Sequence, residues 1–196
     1  MGTLIFLVLL VVVVGWAIAA YNRFIDLKGQ TLNAWKQIDV QLKRRHDLIP
    51  NLVQAVKGAM EFERETLEAV IQARNQAVKV QADASPTGGL KQLAAAEAVL
   101  GGALSRLAVV VERYPDLKAT SNVTSLQEEL TSTENRVAFA RQLYNDTATS
   151  YNVKQQQFPW NLVAGFAKAT QVELWEIVAE AEREVPQVDL SRKKDE

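Results

Sequence analysis

The chain has 196 residues, with 22 Lys and Arg against 23 Asp and Glu, one histidine and no cysteine. Disulfides, thiolate metal sites and thiol catalysis are excluded, and one imidazole cannot supply a multi-histidine metal centre within a chain. A net charge of −1 argues against a dedicated nucleic-acid binder.

Residues 1–20 carry no ionisable side chain, so every Lys, Arg, Asp and Glu falls between Arg23 and Glu196. Leu4–Ala20 reads LIFLVLLVVVVGWAIAA. As a helix, Met1–Tyr21 is about 31 Å long, close to the hydrocarbon thickness of a bilayer. It has no polar face. Residues 1–21 therefore predict a retained transmembrane anchor, with Leu4, Phe6, Leu10, Val14 and Ala20 against lipid and Trp16 near the headgroups. The rival is a cleaved signal peptide, because Ala17-Ile18-Ala19 fits a small-x-small cleavage pattern. Against that rival, the run lacks a basic start and exceeds a usual signal core. Arg23, Lys28, Lys36 and Lys43-Arg44-Arg45 all follow the span, so the positive-inside bias predicts an inner-membrane protein with its N-terminus outside and its remainder in the cytoplasm.

Residues 22–184 predict an all-α, elongated antiparallel bundle, followed by a polar, disordered tail over 185–196. Trp35, Ile38, Leu42 and Ile49 step by three, four and seven, and Leu52, Val56, Met60, Leu67 and Val70 prolong the stripe. Pro50 predicts a kink or break at residues 46–50, since proline denies the His46 carbonyl its helical partner. Asp83–Gly89 is a loop by composition. Leu90–Arg113 is the next helix, with Leu93, Leu100, Leu104, Leu107 and Val111 inward. Leu126, Leu130, Thr133, Val137, Ala140, Tyr144, Ala148 and Tyr151 give the clearest stripe, on a helix from Ser121 to Gln157. Trp160–Glu184 is helical by propensity. Residues 31–80 would reach about 75 Å as one helix, against about 36 Å for 90–113. The excess predicts a stalk or a surface for another subunit.

No dinucleotide, phosphate-loop, serine-hydrolase or zinc-protease motif occurs. Gly88-Gly89 reads as a turn, because no Lys-Ser or Lys-Thr follows in phosphate-loop register. His46 reads as an exposed polar residue beside the helix break, with a pH switch as the sharper alternative. Glu61, Glu65 and Glu68 share a face but lack the histidines of a di-iron site, so no metal, cofactor or catalytic residue is assigned. Lys43, Arg44 and Arg45 could contact anionic lipid or a partner, or pair within the bundle. Glu134, Asn135, Arg141, Asn145 and Asn152 lie on or beside the α-helical stripe and read as a structural polar network. The alternative is an enzyme or small-ligand site around Glu134, Arg141 and Asn145. Phe158-Pro159-Trp160-Asn161-Leu162-Val163-Ala164-Gly165-Phe166 is uncharged and too short to span a bilayer. It folds back on the bundle, or Phe158, Trp160 and Phe166 meet lipid or a partner.

Several blocks resemble the LemA family of bacterial membrane-anchored helical proteins. They are AWKQIDVQLKRRHDLIPNLVQAVKG (Ala34–Gly58), LSRLAVVVERYPDLKA (Leu104–Ala119), LQEELTSTENRVAFARQLYN (Leu126–Asn145) and YNVKQQQFPWNLVAGF (Tyr151–Phe166). Where the family often has a histidine after its KGY motif, this chain has Phe62, and its ending AKATQVELWEI also departs. The resemblance implies an N-terminal transmembrane helix, an extended bundle and a role in envelope maintenance or membrane organisation, but no reaction. Family genes often neighbour that of a membrane metalloprotease. The expected function is a non-enzymatic membrane scaffold that self-associates as a homo-oligomer, or binds a membrane protease or another envelope protein. A channel is disfavoured, since Leu4–Ala20 offers no polar residue to line a pore.

Overall fold

The computed structural model describes residues 1–118 and 120–176. The predicted tail, and residues 177–184 of the predicted last helix, lie outside the described residues. The elements are α1 (Gly2–Lys57), a 3-10 turn (Glu61–Glu63), α2 (Arg64–Asp83), α3 (Leu90–Val111), α4 (Pro115–Lys118), α5 (Ser121–Gln156) and α6 (Trp160–Phe166). No strand occurs among the described residues, and the fold is all-α as expected.

The backbone of the fold is α1, 56 residues long and about 84 Å by helical rise. Its first eighteen residues are almost wholly exposed, and the apolar run is long enough to cross a membrane. Ala20, expected against lipid, is instead buried within the protein, and after it one stripe is buried: Phe24, Leu27, Trp35, Ile38, Leu42, Ile49, Leu52 and Val56. The main partner of this stripe is α5, antiparallel to α1. Phe24 meets Tyr151 with ring centroids 4.9 Å apart, and Trp35 meets Tyr144 edge-on at 6.1 Å. On α5 the predicted stripe is buried from Thr133 through Val137, Ala140, Tyr144, Ala148 and Tyr151, whereas Leu126 and Leu130 are only partly buried. The α2–α3 hairpin packs on the distal half of α1, where Ile49, Leu52 and Val56 share a core with Val70, Leu100 and Leu107.

The kink or break expected at residues 46–50 does not end the helix. The helix continues through Pro50 and ends at Lys57. The carbonyl that Pro50 cannot reach is that of His46, and it accepts a hydrogen bond from Arg74 Nε on α2 at 3.1 Å. A tertiary donor replaces the missing amide, so proline costs the helix no orphaned acceptor. The chain turns instead at Gly58–Met60, where Met60 is fully buried, and α2 returns along α1. Gln81 Nε2 binds the Asp39 carbonyl oxygen at 3.0 Å, which fixes the antiparallel register. The 75 Å arm is therefore folded in two, and its predicted excess length is used within the chain. The α2–α3 turn is as expected: Ser85 and Gly88 exchange backbone hydrogen bonds of 2.8 and 3.1 Å. Gly89 has φ of +90°, which its lack of a Cβ permits.

The predicted helix over Trp160–Glu184 stops at Phe166. Residues 167–176 lie without helix, as a strap across α5.

Arg74→Met should destabilise the bundle by about 1–3 kcal/mol, the cost of an unsatisfied buried acceptor. In a Pro50→Ala background the residue-50 amide can reach the His46 carbonyl, and the same substitution should cost about 1 kcal/mol less. Denaturant unfolding followed by circular dichroism in detergent measures both; equal costs would contradict the account.

Candidate functional site

Three ionisable residues occupy stripe positions. On α1, Arg45 and His46 fall between Leu42 and Ile49; on α3, Glu97 falls between Leu93 and Leu100. All three are buried, with exposures of 5%, 2% and 2%. Glu97 Oε2 accepts from Arg45 Nη1 at 3.2 Å and Glu97 Oε1 lies 2.7 Å from His46 Nε2. One carboxylate thus uses both oxygens on two neighbouring residues of α1. With the proton on Nε2, the imidazole leaves a lone pair at Nδ1, which has no partner among the described residues. The arrangement fixes α3 against α1 in one register, the best-attested use of a buried ion pair.

A second set of polar residues holds the strap. Asn145 and Asn152 on α5 each bind one strap residue twice. Asn145 Nδ2 donates to the Trp175 carbonyl at 2.9 Å while its Oδ1 accepts from the Trp175 amide at 2.8 Å. Asn152 does the same for Val172, at 2.8 and 3.0 Å. The spacing matches: seven residues of helix rise about 10.5 Å, and three residues of extended chain span about 10 Å. Tyr144 Oη donates to the Glu173 carbonyl at 2.7 Å. Burial, and secondarily the Glu173 carboxylate, push the Tyr144 phenol well above its ordinary range. Glu173 in turn caps α3, its Oε2 accepting from the Leu90 amide at 3.0 Å, while its own amide donates to the Pro86 carbonyl at 2.8 Å. Trp175, 6% exposed, packs into the core beside Trp35 and Tyr144. The strap thereby joins α5 to the α2–α3 loop.

Between α3 and α5 runs a groove of about 620 Å³. Small residues of α3, among them Ala94, Ala98 and Gly101, face Glu134, Arg141 and Asn145 of α5, with Arg45 also lining it. The polar groups here are engaged. Arg141 lies over the Trp175 ring, 4.4 Å from its centroid, and Asn145 holds the strap. The exposed Glu134 is 4.0 Å from Arg45 Nη2.

At the other end of the molecule, α6 follows a cis Phe158-Pro159 bond and packs against α1. Trp160 meets Trp16 edge-on with centroids 6.4 Å apart, and Lys154 Nζ sits 4.7 Å over the Trp160 ring. Val163 and Ala164 are buried, Ala164 in a cluster with Phe24, Leu27 and Tyr151.

Residues 34–190 match the family model described as the LemA family. The chain belongs to the LemA family. Protein LemA of Metamycoplasma hominis is 27% identical, over 86% of this chain and 72% of its own. Magnetosome protein MamQ 2 of Paramagnetospirillum magneticum is also 27% identical, over 76% of this chain and 63% of its own. Magnetosome protein MamQ of Magnetospirillum gryphiswaldense is 24% identical, over 74% and 60%. The chain thus spans less than two thirds of the length of the magnetosome relatives.

Within this LemA bundle the sequence-derived groups are partly divided. Lys43-Arg44-Arg45 is not one surface: Arg45 is buried on Glu97, Arg44 pairs with Glu129, and Lys43 is exposed. His46 is buried, not exposed, because α1 does not break there and the residue keeps its inward stripe position. Glu134, Arg141 and Asn145 line one groove, whereas Asn135 is exposed and outside it. Asn145 and Asn152 bind a distant backbone rather than each other. Phe158–Phe166 folds back through Trp160, Val163 and Ala164 but leaves Phe158 and Phe166 exposed. Sequence reasoning missed Glu97 altogether. Its signal was available: the steps Leu90, Leu93, Glu97, Leu100, Leu104, Leu107 and Val111 alternate three and four, and Glu97 is the one charge among them.

Glu97→Ala strands Arg45 and His46 in the core and should cost about 3–5 kcal/mol. Equilibrium unfolding in detergent reads the loss, and a cost comparable to an exposed substitution would refute the pinning role.

Proposed function

We propose that this LemA-family protein is a non-catalytic membrane-anchored scaffold of the bacterial inner membrane, acting by self-association, by holding a membrane protein partner at a fixed height, or by both. The observation that carries the reading is the continuity of α1, whose bare apolar start and buried bundle stripe belong to one helix. The polar residues that invited a catalytic reading support it too, being engaged in register, strap and capping contacts. Residues 1–20 act as the retained span. The basic residues that follow favour an outside N-terminus and a cytoplasmic bundle. The relatives named as magnetosome proteins are consistent with work at a membrane surface.

The full-length protein in mild detergent should have an oligomeric mass by light scattering, and the same species should crosslink in native membranes. A monomer by both measurements would overturn self-association.

A further inference from the structure

The short helix α6 has no polar side. Its sequence WNLVAGF contains one polar side chain, Asn161. One face is buried on the bundle through Val163 and Ala164. The opposite side presents Leu162 at 57% exposure and Phe166 at 91%, with Phe158 at 80% just before the helix. A helix that is apolar all round is stable when neither side meets water.

Exposure alone does not mark a lipid contact. Phe62 and Phe139 are 96% and 73% exposed, and both lie where the bundle stands away from the apolar end of α1. Position separates the two groups. Trp160 is in ring contact with Trp16, and Trp16 lies within the apolar run, about 7 Å along the axis before Tyr21. Ala164 packs with Phe24, about 12 Å further along α1 than Trp16. Between them α6 covers the stretch where an α1 that spans the bilayer would leave it. The cations fit the same level: Arg23 and Lys154 line one groove between α1 and α5, with Asp146 at that groove too. Lys154, over the Trp160 ring, has the amphipathic arrangement of an interfacial anchor.

We propose that α6 is a second membrane contact: Phe158, Leu162 and Phe166 enter the headgroup–acyl boundary beside the span, while Arg23 and Lys154 meet lipid phosphates. This rests on residues 1–20 being a retained span. Two contacts, one spanning and one interfacial, prevent the bundle from swivelling about α1 and set which of its faces looks along the membrane. Lipid is the occupant because the patch adjoins the apolar run directly and continues its surface.

The absence of cysteine allows single environment-sensitive labels on the full-length protein. Val8→Cys, Leu162→Cys and Phe139→Cys, each carrying a nitrobenzoxadiazole dye, would be placed in phosphatidylethanolamine–phosphatidylglycerol vesicles with and without a lipid bearing a shallow nitroxide. Position 162 should emit to the blue of position 139 and lose most of its emission to the nitroxide lipid, while 139 is unaffected. Position 8 reports the span itself in a blue emission. If 8 lies in lipid but 162 matches 139, the second membrane contact is wrong and the anchor stands. If 162 is blue-shifted yet unquenched, protein covers it and the lipid proposal fails. If 8 is solvent-like, the underlying anchor reading fails.

Discussion

Everything in this molecule is referred to one uninterrupted helix. Had α1 broken at Pro50, the distal core would be joined to the proximal core by a flexible joint. The helix continues because a side chain from α2 replaces the hydrogen bond that proline removes. Arg74 is thus a splint for a helix to which it does not belong. The α2–α3 hairpin both depends on α1 and keeps α1 intact, which makes the distal half cooperative.

The remaining polar contacts extend that logic. Glu97 selects one register of α3 on α1 by engaging adjacent residues with separate oxygens. Asn145 and Asn152 select one path for the strap, and Glu173 ties that path to the start of α3. Hydrophobic burial supplies most of the driving force and tolerates sliding between helices. These directional contacts do not tolerate it. A bundle fixed in register along a helix whose apolar start is long enough to cross a membrane has its surfaces at defined heights from that start, which is what the proposed scaffold role requires.

The parts legible in the sequence are those that depend on short-range periodicity. The stripes of α3 and α5 were read nearly residue for residue, because a face buried along its whole length repeats every three to four residues. Continuity through Pro50 was not legible, since it depends on Arg74, distant in sequence. The strap was misread as helix for a related reason. Its backbone groups are answered by asparagine side chains and by Tyr144, which recognise main chain and leave no pattern in the strap's own residues. His46 was misplaced because the expected break removed it from the stripe. Glu97 is legible in the sequence, because it holds one of the alternating three- and four-residue steps of the α3 stripe.

The central claim is that α1 is one rigid rod from its apolar start into the bundle. Spin labels at Val12→Cys and Val40→Cys, both exposed positions, in protein diluted with unlabelled chain so that only distances within one chain are read, report it directly by dipolar electron resonance in lipid. A continuous helix places the two backbones about 42 Å apart, and the account predicts a single narrow distribution near that distance. A broad or markedly shorter distribution would mean a joint between span and bundle, and would contradict the account.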